Sequence, residues 1–136
     1  MLLYLSTPFT HPDPSVRLDR YQKSCRVQAR LIEAGIACFN PLAHSVPAVE
    51  LGGLTATHAQ FMALDLSILR RCDELLVVGL DGWTESVGVR AEMFEALALG
   101  LPVTQIEEAD IERLPAIPKS ARKFLESKIL TETADG

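Results

Sequence analysis

Short apolar runs alternate with helical stretches along the first hundred residues, and this order limits the fold more than any other feature. The apolar runs cover 2–6, 36–39, 73–80 and 102–106, and the helical stretches cover 15–34, 58–71 and 86–99. An apolar run bounded by turn residues indicates a strand buried on both faces. The β-α-β-α-β-α-β order predicts an α/β fold with an open, doubly wound parallel sheet and helices on both faces.

The remaining segments are predicted to be connections and a C-terminal extension. Residues 40–57 hold two prolines and two glycines, which predicts a long loop, and loops of that length are usually functional or mobile. Residues 119–130 have the pattern of a weak amphipathic helix. We therefore expect one α/β domain over residues 1–118, followed by a C-terminal helix and a frayed tail over 119–136.

Charge and composition favour a small-molecule ligand. The 13 basic and 18 acidic residues give a net charge of −5, and the basic residues are scattered, so neither nucleic acid nor a membrane is an expected partner. The N-terminus lacks the features of a signal peptide, and no run of 18 apolar residues could span a bilayer. Free cysteines inside predicted elements suit a reducing compartment, so we expect a cytoplasmic protein; they are Cys25, Cys38 and Cys72.

Ligands of an open parallel sheet bind beyond the carboxyl ends of its strands, where the strand order reverses. This rule selects the loops at 7–14, 40–57 and 80–86. Glu92 lies close to the third loop, and its side chain would lean over Gly88, which leaves the space open. A solvated surface glutamate and a carboxylate directed into a pocket both fit this spacing.

Two further residues are candidates because of their predicted burial. Asp65 interrupts the apolar stripe of its helix. It therefore either lies at the solvent-exposed end of the stripe or is buried there because it has a function. Tyr4 lies in a buried strand, where its hydroxyl needs a partner. A structural role remains open for both.

The turn and helix start at 81–88 offer weaker candidates. Ser86 could cap its helix, bind an anion, or do both, because a helix N-terminus presents free N–H groups. Trp83 could stack on a base or close a hydrophobic patch. The three histidines are far apart in the sequence and show no metal-ligand spacing, so we expect no metal site.

Three stretches together resemble the nucleoside 2-deoxyribosyltransferase superfamily, including its small members related to deoxynucleoside 5′-monophosphate N-hydrolases. They are LYLSTPFT (3–10), ALDLSILRRCDELLVV (63–78) and GWTESVGVRAEMFEALALGLPV (82–103). The shared pattern is a Tyr in the first strand, an Asp in the helix before the third, then Ser-x-Gly-x-x-x-Glu and Gly-x-Pro-Val. The resemblance implies a flavodoxin-like sheet of four to five strands and cleavage or transfer at the N-glycosidic bond of nucleosides or nucleotides.

The resemblance also implies roles for individual residues. Glu92 resembles the nucleophile, Asp65 the group that meets the base, and Tyr4 the residue that orients the glutamate. A serine at position 86 is typical of the monophosphate hydrolases, where it meets the phosphate. Taken together with the residue patterns above, we expect the substrate-binding residues to be Ser6, Thr7, Ser86, Gly88, Trp83 and Arg90. For this chemistry Asp65 would need a raised pKa, and Glu92 would be ionised near neutral pH.

The resemblance implies a nucleoside or nucleotide as the small-molecule partner, no cofactor, and a homodimer or homotetramer. The sequence departs from the monophosphate hydrolases after the first strand, where TPFT (7–10) lacks the arginine of their phosphate loop. Arg90 could either obstruct the pocket or supply that missing charge. These departures keep open an alternative, a noncatalytic nucleotide-binding or sensor domain on the same fold. A phosphoacceptor receiver or a flavin protein fits less well, because no acidic pair follows the first strand and no aromatic pair flanks a ring site.

Overall fold

The computed structural model describes residues 1–116 and 118–120 of the chain. In this part of the chain, one sheet of five strands has the order β2-β1-β3-β4-β5, which is the flavodoxin-like order, so the predicted fold class is confirmed. The strands are β1 (Leu2–Ser6), β2 (Ala37–Phe39), β3 (Glu74–Gly79), β4 (Val103–Glu107) and β5 (Lys119–Ser120). The helices are α1 (Pro14–Glu33), α2 (Pro41–Glu50), α3 (His58–Leu69) and α4 (Val87–Ala98).

The sheet separates two hydrophobic clusters, as the nearly continuous apolar strands predict. Alternate strand residues such as Leu75 and Val77 pack with the end of α3 and the inner side of α4. Their neighbours Leu76 and Val78 pack on the opposite face with α1 and the 3₁₀ helix Glu108–Arg113. Because side chains alternate along a strand, Tyr4 of β1 lies on the face covered by α3 and α4.

The prediction of a long loop at 40–57 is wrong over Pro41–Glu50, which form α2. Asn40 is the N-cap, and its side-chain oxygen accepts hydrogen bonds from the backbone N–H of Leu42 at 3.0 Å and of Ala43 at 3.3 Å. Pro41 occupies the first turn, where a missing N–H costs nothing. The prolines therefore did not indicate a loop: one starts the helix, and Pro47 is accommodated inside it.

The C-terminal helix predicted from residue 119 is contradicted at its first two positions. Lys119 and Ser120 form β5, which pairs antiparallel with Gln105 and Thr104 of β4. The rest of the predicted helix and the frayed tail lie outside the described residues. The boundary that we placed between 118 and 119 stays a prediction.

The strand order places a candidate ligand site at the carboxyl end of β1. β1 pairs in parallel with β2 on one side and with β3 on the other. The connections that leave β1 and β3 therefore run to opposite sides, which opens a crevice at this end of the sheet. The 7–14 loop, α2 and the 80–86 turn follow the strands that end there.

Candidate active site

The centre of the candidate site is the carboxylate of Glu92, which α4 directs back onto β1. The phenol of Tyr4 donates a hydrogen bond to Glu92 Oε2, and the hydroxyl of Ser6 donates one to Oε1 at 2.8 Å. Tyr4 and Ser6 are two residues apart on one strand, so both side chains reach the same face of the sheet. Glu92 is only 5 % exposed, which excludes the solvated surface glutamate.

Burial determines the electrostatics of this carboxylate. Loss of solvation raises the pKa of Glu92 to about 8, against the hydrogen bonds from Tyr4 and Ser6, which favour the ionised form. Burial, together with the negative charge of Glu92, raises the pKa of the Tyr4 phenol well above its usual range. Tyr4 is therefore a hydrogen-bond donor at every physiological pH. Burial outweighs the two donors, so the pKa of Glu92 moves in the direction opposite to the ionised state that the resemblance implied.

Asp65 of α3 lies close enough to the centre for its charge to raise the pKa of both Glu92 and Tyr4. Partial burial raises the pKa of Asp65 itself to about 6, the direction that we expected. Its Oδ1 atom is buried and, among the described residues, has no hydrogen-bond partner. A buried acceptor without a partner is costly, so a donor from a ligand would satisfy it.

His44 is a residue of this site that our sequence analysis missed. Its ring lies 5.5 Å from that of Phe39, which in turn lies 5.8 Å from the ring of Tyr4. A positive charge on His44 lowers the pKa of Asp65, so the imidazole and the carboxyl group share one environment. The signal for it was the Asn-Pro start of α2, because a helix from residue 41 brings His44 one turn from the carboxyl end of β2.

The start of α4 forms one edge of the site. The hydroxyl of Ser86 accepts a hydrogen bond from the backbone N–H of Val89 at 3.3 Å, so Ser86 is the N-cap of this helix. A side chain built on Gly88 would meet nothing closer than the Ser86 hydroxyl at 4.0 Å. The space over Gly88 is therefore open, one turn before Glu92.

The other residues that the resemblance implied occupy different surroundings. Thr7 directly follows Ser6, and its buried hydroxyl oxygen has no hydrogen-bond partner in the part of the chain that the structure describes. Arg90 is half-buried in the first turns of α4. Trp83 packs against the cluster under α4 and lines an open groove of about 730 Å³ at the ends of β3 and β4, whose lining does not include Glu92 or Tyr4.

The family to which the chain belongs is shown by a family model described as a domain of unknown function (DUF1937), which matches residues 1–108. The chain belongs to the DUF1937 family. The matched residues include β1 and α4, so every group gathered around Glu92 lies within the family's domain. No curated protein matches the chain.

A solved structure shares the fold of this DUF1937 protein. It is a 2-deoxyribosyltransferase from the psychrotolerant bacterium Bacillus psychrosaccharolyticus, with a TM-score of 0.58 and 20 % sequence identity. The alignment covers 79 % of this chain and 72 % of the other. At this identity the likeness shows the fold. Within residues 1–116 and 118–120, no helix has both the length and the apolar character needed to cross a membrane.

Proposed function

We propose that the protein cleaves or transfers at the N-glycosidic bond of a nucleoside or nucleoside 5′-monophosphate, with Glu92 as the nucleophile. One observation carries the proposal: a buried carboxylate with two hydroxyl donors lies beside a second acid that has an unsatisfied buried oxygen. The fold shared with a 2-deoxyribosyltransferase supports this choice of chemistry. Paired carboxyl groups of unequal environment are typical of glycosyl transfer.

In the first step, Glu92 attacks the anomeric carbon C1′ of the sugar. The C1′–N bond breaks as an ester bond forms between C1′ and the carboxylate, and Asp65 donates its proton to the departing base. Tyr4 and Ser6 hold the two oxygens of Glu92, so that the carboxylate is oriented before the substrate arrives. Asp65 suits the acid role because burial keeps part of its population protonated near neutral pH.

In the second step, the ester is resolved by water or by a second base. Asp65, now ionised, accepts the proton of the attacking group as the new bond to C1′ forms and the bond to Glu92 breaks. Two displacements at one carbon give overall retention of configuration. Hydrolysis and transfer differ only in which acceptor reaches the ester.

The start of α4 supports a nucleotide as the substrate. Free N–H groups at a helix N-terminus attract anions, and the open space over Gly88 leaves room for one to approach. The hydroxyl of Ser86 lies at the same place. A 5′-phosphate at this edge would put C1′ further into the site, toward Glu92.

The test is release of free base from a panel of deoxynucleosides and their 5′-monophosphates, followed by chromatography. We expect Glu92→Gln and Glu92→Ala to lose at least about a thousandfold in kcat, because the nucleophile is gone. Glu95→Gln is the matched control, since Glu95 lies on the same helix and pairs with the exposed Arg70. Wild-type turnover by Glu92→Gln would contradict the proposal.

A stereochemical measurement tests the double displacement separately. With methanol as an alternative acceptor, NMR should show the methyl glycoside with the anomeric configuration of the substrate. Inversion would exclude a covalent intermediate on Glu92.

A noncatalytic nucleotide-binding or sensor domain is the second candidate. The raised pKa of Glu92 favours it, because a protonated carboxyl group is a poor nucleophile. A nucleotide that raises the melting temperature while no base appears over long incubation would support the sensor. Base release that depends on Glu92 would exclude it.

A further inference from the structure

Arg20 of α1 joins the two loops that flank the candidate site. Its Nη1 donates to the backbone carbonyl of Thr10 at 3.1 Å, and to that of Phe9 at 3.5 Å. Its Nη2 donates to the carbonyl of Asp81 at 2.9 Å. One guanidinium group therefore bonds both the connection after β1 and the turn after β3. Asp81 of that turn lies 61 residues after Arg20 in the sequence.

The turn after β3 is shaped around this guanidinium. Gly82 has a φ of +85°, and a Cβ at this position would lie 2.8 Å from Nη2 of Arg20. The positive φ favours glycine here, and a side chain at this position would also displace the Arg20 guanidinium. Arg17, one turn earlier on α1, donates to the carbonyls of His11 and Pro12, so the same helix holds the far part of the first loop.

Both loops lead directly to residues of the site. The first begins after Ser6, which donates to Glu92, and contains Thr7, whose hydroxyl oxygen is buried without a partner among the described residues. The second continues through the 3₁₀ helix Trp83–Glu85 to Ser86, the cap of α4. The two loops therefore flank the candidate site, one leaving the end of β1 and the other leading to the start of α4.

We propose that Arg20 is a positioning residue that fixes the two loops relative to each other before a ligand binds. A planar guanidinium presents several donors in fixed directions, so it can hold carbonyls on two loops at once, which a lysine cannot do with the same geometry. Fixing the loops in advance removes an ordering cost from binding. The kinetic part of this inference rests on the proposed function, whereas the structural part does not.

The first measurement uses the sole tryptophan of the chain as its probe. Trp83 follows Gly82 directly, so loosening the turn should expose the indole. We expect Arg20→Met to increase the acrylamide quenching constant of Trp83 about twofold, and Arg20→Lys to give an intermediate value. Arg26→Met is the control, because Arg26 pairs with Glu112 away from both loops. Wild-type quenching in Arg20→Met overturns the inference, whether or not the protein releases base.

The second measurement separates substrate binding from chemistry. We expect Arg20→Met to raise KM for the best substrate about tenfold and to change kcat less than about threefold, because Tyr4, Ser6 and Glu92 are held by β1 and α4. Increased quenching with an unchanged KM would overturn the role in the site. If Arg20→Met does not fold, Arg20→Lys carries both tests, with smaller changes in the same directions expected and wild-type values overturning the inference. Failure of the proposed function would be separate, since the wild-type protein would then release no base.

Discussion

At the scale of single residues, the carboxyl groups of Glu92 and Asp65 titrate as a pair, and this coupling should determine the pH dependence of activity. Burial raises the pKa of Glu92 to about 8 and that of Asp65 to about 6, and the negative charge of Asp65 adds to the rise at Glu92. Below about pH 6 both groups are protonated and no nucleophile exists, whereas above about pH 8 both are ionised and no acid remains. Between these values the pair holds one proton, and the form that carries it on Asp65 is reactive.

We therefore expect a bell-shaped profile of kcat/KM with limbs near pH 6 and pH 8. Steady-state rates of base release between pH 4.5 and 9.5, at constant ionic strength, provide the measurement. Asp65→Asn should remove the basic limb and leave a single rise of rate with pH that follows ionisation of Glu92, at a pKa below about 8 because the Asp65 charge that opposes this ionisation is lost. An identical bell in this variant would exclude Asp65 as the acid.

A second prediction at this scale concerns the hydrogen bond from Tyr4 to Glu92. Its phenol favours the ionised form of Glu92, so Tyr4→Phe should raise the pKa of Glu92 further and lower kcat/KM at pH 7 by roughly 10- to 100-fold, as expected for a lost hydrogen bond to a charged group. Tyr21→Phe is the control, because Tyr21 is the other tyrosine and lies on α1. Equal rates for the two variants would contradict the orienting role of Tyr4.

At the scale of elements, α2 depends on the N-cap Asn40. The Asn40 side chain caps the helix with its oxygen, while its amide donates to Ser24 at 3.0 Å and to Gln28 at 3.2 Å on α1. Asn40→Ala removes the cap and both hydrogen bonds from the Asn40 amide to α1, so we expect the free energy of unfolding to fall by about 2–3 kcal/mol.

Thr57→Ala is the matched variant, because Thr57 caps α3 on an exposed surface and its loss should cost only about 1 kcal/mol. Urea denaturation followed by circular dichroism compares the two. If both variants lose the same stability, the buried bonds of Asn40 to α1 contribute nothing.

At the scale of the whole molecule, the buried acid should make stability fall as pH rises. Glu92 binds its proton more tightly in the folded state, so between its ordinary pKa of 4.5 and about 8 the folded protein holds more protons than the unfolded chain. The free energy of unfolding therefore decreases with pH over this interval and levels off above it.

Glu92→Gln removes this dependence, because an amide does not ionise and the hydroxyls of Tyr4 and Ser6 can turn to accept its hydrogens. At pH 9 we expect the free energy of unfolding of this variant to exceed that of the wild type by about 1–4 kcal/mol. At pH 4 the two values should be similar. Denaturation at the two pH values, with Glu95→Gln as the control, measures the difference. A gap that does not widen with pH would contradict the burial of an ionisable carboxyl group.

The sequence by itself predicted the fold class, because strands β1 to β4 and most helices carry a local signal. β1 and β3 are apolar runs bounded by turns, and α3 and α4 were placed to within about two residues from their pattern and ends. The error at α2 was also local: Asn40 and Pro41 form a helix start, yet two prolines and two glycines suggested a loop. The pairing of Lys119 with β4 could not be predicted in this way, because a two-residue strand depends on its neighbour and not on its own composition.

The sequence also selected Glu92, Asp65 and Tyr4, but only the tertiary structure decided what surrounds them. Hydrogen bonds from Tyr4 and Ser6 to Glu92 span more than 80 residues, and no local pattern reports them. The raised pKa of Glu92 follows from the same packing, because burial is a property of all the elements around a group. The contacts of His44 and Arg20 became visible only in the tertiary structure for the same reason. Local sequence determines which helix carries a side chain, whereas the assembled sheet and helices determine what it touches.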